Sequence, residues 1–173
     1  MASWDSILKT KPTIETITAA MAELETDGPR GTIVLGVALI EGVLRDAVLY
    51  HMVTLTDKER DQLLGGYAPL SSFSALTKVA YAFRIIGPKT RDDLDRLRRL
   101  RNGFAHSQLV LSFETPELID EISKLNCLSQ LHEEGTIRIL FRTAVRILMV
   151  HLIVKMNPDL QGDEAGDEIR NLG

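Results

Sequence analysis

The stretch from Thr32 to Met52 limits the fold more than any other. Val34, Leu35, Val37, Ala38, Leu39, Ile40, Val43, Leu44, Ala47 and Val48 leave almost no polar face. Its length and lack of period-two alternation predict a helix rather than a strand. A helix that is apolar nearly all round has to be enclosed by others. The chain therefore reads as an all-α bundle built around this segment. Glu41 is a carboxylate embedded in it, and a buried charge needs a partner. The local choice is Arg45, four residues on, and the distant one is Arg101, which either Glu41 or Asp46 could meet across the core.

The region Ala68 to Ser107 reads as two helices joined at Gly87-Pro88. Ser71 or Ser72 supplies a cap for the first helix. Gly87 suits a left-handed closing residue, and Pro88 prevents continuation. Thr90 caps the second, placing Asp92 and Asp93 against the positive end of its dipole. Asp92 with Arg96, and Asp95 with Arg99, form i,i+4 pairs on an exposed flank. Leu94, Leu97, Arg101 and Phe104 fall on one face, so a guanidinium that cannot lose its proton stands in an apolar stripe. Arg101 needs a buried carboxylate, a ligand or a second subunit.

The remaining segments follow the same logic. Thr13 to Glu25 is an amphipathic helix ended by Asp27-Gly28-Pro29. Thr56 with Glu59 forms a capping box for a short helix ending at Gly65-Gly66. Gln108 to Phe113 is irregular, and Thr115-Pro116 opens another helix. Gly135-Thr136 opens the last long one, which ends at Asn157-Pro158. On it Arg138, Arg142 and Arg146 share a stripe, either a basic face for a polyanion or acidic partner, or a solvated side. Trp4 and Ile7 anchor a short N-terminal turn. The expected plan is one domain over residues 1–158, of about six or seven helices, with a polar acidic tail at 159–173.

Composition removes several function classes. A net charge of −4 disfavours a whole-surface DNA binder, and 5% aromatic residues disfavour a base-stacking platform. The single cysteine, Cys127, excludes a disulfide framework and a thiolate zinc site, which fits a cytoplasmic setting. His51, His132 and His151 lack metal-ligand spacing, so no metal or other cofactor is expected. The arginines and His151 within Ile137 to Met156 argue against a membrane span.

The runs PLSSFS, KVAYAF, IIGP, RNGFAH and LSFETPELID, within Asp27 to Leu131, resemble the MltR family, the mannitol operon repressors. The Arg101-Asn102-x-x-x-His106 core also resembles the wider HEPN superfamily of α-helical domains. The first resemblance implies a transcriptional regulator of a carbohydrate operon. The second implies, as an alternative, a metal-independent ribonuclease. In it His106 would move a proton, Arg101 would stabilise phosphorane charge, and Asn102 would donate to phosphate or hold the arginine. On a regular helix Arg101 and His106 are ~140° apart, so that alternative needs a helix ending near Gly103 or a second subunit. A homodimer would supply the latter. The opposing reading is a structural lock, with Arg101 on a core carboxylate and His106 at a helix C-terminus. Asp92, Asp93 and Asp95 stand where a reading helix would approach phosphates, so direct DNA binding is disfavoured and a protein partner is expected.

Overall fold

A computed structural model describes residues 13–108, 110–129 and 135–157. Among them the chain forms seven α-helices and no strand. These are α1 (Ile14–Thr26), α2 (Pro29–Tyr50), α3 (Asp57–Leu64), α4 (Phe73–Ala82), α5 (Pro88–His106), α6 (Pro116–Ser123) and α7 (Ile137–Lys155), with a 3-10 turn at Asn126–Leu128. The expected N-terminal turn, His132 and the acidic tail lie outside the described residues.

The apolar stretch is the centre of the bundle. α2 packs against α1, α4, α5 and α7, and Ile33, Val37, Ile40, Leu44 and Ala47 are fully buried. Its most extensive packing is against α7. A Cβ on Gly36 would lie 2.7 Å from the Phe141 ring and 3.1 Å from Val145, so glycine is what lets these two helices touch.

Several helix starts follow from their caps. Thr13, Ser72 and Thr136 each accept a backbone N–H three residues on, and Thr56 with Glu59 completes a capping box. The α4–α5 turn differs from its sequence reading. α4 stops at Ala82, and Arg84, not Gly87, takes the left-handed conformation with φ 58°. Arg84 N–H donates to Tyr81 O at 3.0 Å, and Ile85 N–H to Ala80 O at 2.9 Å. This is a Schellman closure sealed by buried Ile85. α5 then starts at Pro88 with Gly87 as its N-cap, one turn earlier than a Thr90 cap would allow.

That earlier start changes the role of the acidic residues. No acidic side chain lies in the first turn of α5. Asp93 is instead buried, accepting from Asn126 N at 2.7 Å, Asn126 Nδ2 at 2.9 Å and Cys127 N at 2.9 Å. It ties the 3-10 turn to α5. Arg96 and Arg99 also leave their expected i−4 partners and reach Glu121 on α6, at 2.7 and 3.9 Å. For Arg96 a carboxylate on a packed neighbouring helix competes successfully with a partner one turn away, because that pair is partly shielded from water.

Candidate functional site

The RNGFAH segment forms the last turn and a half of α5, with Ser107 as C-cap. Leu94, Leu97 and Phe104 are buried, and Arg101 stands at the edge of their stripe with its side chain 27% exposed. Arg101 Nη1 donates to Glu41 Oε2 at 2.7 Å, and the guanidinium carbon lies 5.9 Å from the centre of the buried Phe73 ring. Glu41 comes from α2 and Phe73 from α4, so one cation joins three helices. Arg101 meets Glu41 rather than Asp46, which lines a shallow apolar groove between α1, α2 and α7 instead. The guanidinium suits this place because its flat face can lie on a ring while its edge donates to a carboxylate.

The helix stays regular through His106, with Ser107 N–H donating to Gly103 O at 2.8 Å. Arg101 and His106 therefore remain roughly 140° apart about the helix axis. Asn102 and His106 are exposed, while Arg101 faces the seam. Within one chain the three residues do not converge on a common point. Beside His106, Arg30 from the start of α2 donates to the Ser107 carbonyl at 2.8 Å. A cation thus sits at the negative end of α5. The contacts of Arg30 with α5 near Ser107 and of Glu41 with α5 at Arg101 also make α2 and α5 antiparallel.

The α7 arginine stripe is largely turned inward. Arg138 Nη1 donates to Asp27 O at 2.6 Å and to Thr32 Oγ1 at 3.2 Å, and its guanidinium lies 4.6 Å from the Phe113 ring. Longer bonds run to Leu24 O and Glu25 O, so Arg138 satisfies carbonyls freed at the end of α1. Arg142 pairs with Glu25. Arg146 is exposed. The first two members of the stripe thus bond carbonyls and a carboxylate at the end of α1, and the third faces water.

The remaining nucleophile and base candidates are muted. Burial, reinforced by Asp93, pushes the Cys127 thiol far above its ordinary range, which suppresses the thiolate. Burial and, secondarily, Lys155 lower the His151 pKa, and its buried Nε2 has no hydrogen-bond partner among the described residues. His51 Nδ1 lies 2.8 Å from Ala47 O within its own helix. Among the described residues no group of three or more His, Cys, Asp or Glu could hold a metal ion.

Sequence reading missed Asp93 and Arg30. Asp93 had a signal, since it precedes Leu97 by four residues and so shares the edge of the apolar stripe. Arg30 had none, because its partner carbonyl is 77 residues away.

These observations define a class, an all-helical bundle in which an arginine near the end of the hairpin helix is paired across a helix seam. A solved structure has the same fold, the MtlR–HPr complex from Escherichia coli. Its matching MtlR chain superimposes with a TM-score of 0.68 at 17% identity, covering 78% of this chain and 96% of that one. The fold expected from the MltR resemblance is thus the fold observed. No family model and no curated protein matches the chain by sequence. Among the described residues no helix is long and apolar enough to cross a membrane.

Proposed function

We propose that this chain is an MtlR-like regulator that works in the cytoplasm by binding a partner protein, and through it represses a carbohydrate operon, with mannitol the namesake case. The observation that carries this reading is the fold shared with MtlR, which was solved in a complex with HPr. The site geometry supports it from the other side. Arg101 is held by Glu41, and His106 lies elsewhere on an unbroken helix. A ribonuclease built on Arg101, Asn102 and His106 would need that ion pair opened and a second copy of the chain to bring an imidazole across. Direct DNA reading remains disfavoured, because Asp92 and Asp95 accompany the arginines of α5.

The test is a calorimetric titration of the purified chain with HPr from its own host. It should be run beside an assay of structured and single-stranded RNA in chelator, with Arg101→Ala/His106→Ala as the control. Saturable HPr binding with intact RNA is the expected result. RNA cleavage by wild type and not by the double variant would replace the regulator reading with the nuclease one.

A further inference from the structure

Resting on the partner-protein reading, we infer that the α4–α5 turn is the docking surface, and that its occupant is an acidic surface on a partner protein. The first observation is one of charge. From Gln62 to Arg91 the chain contains no Asp or Glu, although the protein carries 24 of them and a net charge of −4. The same stretch carries Lys78, Arg84, Lys89 and Arg91. Arg91 is paired with Asp92 at 2.9 Å. Lys78, Arg84 and Lys89 form no ion pair among the described residues. The turn is thus a local cationic region on an anionic molecule, and it favours a partner of opposite sign.

The second observation is the side chains that region exposes. Phe83 is 66% exposed and Tyr81 39% exposed. The Arg91 guanidinium lies 4.4 Å from the centre of the Tyr81 ring, so the two side chains pack on one another at the surface. Lys78 is one turn before Tyr81 on the outer face of α4, so cation and ring are neighbours. Aromatic residues and arginine are the residue types that dominate binding at protein interfaces.

The third observation is Arg84. It occupies the left-handed position of the Schellman closure, where glycine is the low-strain choice. An arginine there costs backbone strain and places an exposed guanidinium at the tip of the turn, beside Phe83. Backbone strain of this kind persists where the side chain serves a purpose. Nucleic acid is less suited to the same turn, because a duplex extends beyond this local patch and would meet a chain whose net charge is −4.

The test places the photoreactive analogue p-benzoylphenylalanine at Phe83 or, in a separate full-length variant, at the exposed Val150 of α7, followed by irradiation in the host cell. The expected result is an adduct from position 83 with one protein, mapped by mass spectrometry to an acidic segment. That partner, once purified, should bind Phe83→Ser/Arg84→Gly at least tenfold more weakly than wild type, and Arg146→Ala equally well. Added salt should weaken wild-type binding and affect the double variant less. Arg84→Gly relieves strain, so an unchanged or raised melting temperature separates lost docking from lost folding. Protein adducts from position 150 alone would overturn this surface and leave the partner-protein reading standing. Adducts at 83 with nucleic acid, or with another copy of the chain, would overturn the occupant. Absence of adducts from both positions would also overturn it, and the HPr titration would decide the broader reading by itself.

Discussion

α2 is held along two flanks in opposite ways. Against α7 it presents Gly36, so that Phe141 and Val145 pack on bare backbone and the seam is apolar. Against α5 it presents Glu41, which binds Arg101 where both side chains keep some contact with water, 18% and 27% exposed. The first seam obtains its strength from shape and the second from charge. An apolar seam tolerates many sequences of similar volume. A charged one names its partner, and so can fix the registry of α5 against α2 and α4.

The apolar flank should give the larger response. Phe141→Ala removes a fully buried ring and should lower stability by about 3–5 kcal/mol, and Gly36→Ala should lower it by ~1–3 kcal/mol by forcing a Cβ into the ring. Urea denaturation measures both. The two substitutions meet at one contact, so their effects should not add. Strict additivity would mean that α2 and α7 separate at this point in solution.

The charged flank should give a smaller, salt-dependent response. Glu41→Ala leaves Arg101 without its carboxylate, and the loss should be about 1–3 kcal/mol, moderated by access to water. In a double-mutant cycle with Arg101→Ala, a coupling of ~0.5–3 kcal/mol is expected, decreasing towards 1 M salt. Zero coupling would reduce the pair to a surface contact and return Arg101 to the list of side chains available to a ligand. The apolar flank should show no such salt dependence.

The contrast also separates what the sequence disclosed from what it hid. The apolar flank was legible because periodicity reports burial directly, and the caps at Thr56, Ser72 and Thr136 were legible because their partners lie three residues away. Arg101 announced itself as a cation in an apolar stripe, and Glu41 and Asp46 were the carboxylates within the only segment that had to be central. Choosing between them required the packing. Partner choice failed where local and distant carboxylates competed, as with Arg96 and Arg99, which take Glu121 over the nearer Asp92 and Asp95. The geometry of the candidate basic and catalytic sets was hidden for a related reason. Spacing put Arg138, Arg142 and Arg146 on one stripe, but only the end of α1 decided where two of them would point. The RNGFAH run was visible as a motif, whereas the continuity of its helix, which keeps Arg101 and His106 apart, was not.

The smallest expected effect tests whether the apolar flank is free of titration. His151 lies on α7, and burial, with Lys155, holds its pKa below the ordinary 6.5. The unfolded chain therefore binds the proton more readily than the folded one. Stability contributed by the neutral imidazole is complete above 6.5 and declines as pH falls from 6.5 towards the folded value. Glu59 and Glu114 have lowered pKa values, so their contributions disappear only below their ordinary 4.5. The interval between pH 6.5 and 5 thus lies above the range of both carboxylates. Wild type should lose urea stability across that interval, and His151→Leu should lose less. If His151→Leu and wild type decline in parallel, the acid sensitivity belongs to another group and the α7 flank is apolar in its energetics as well as its packing.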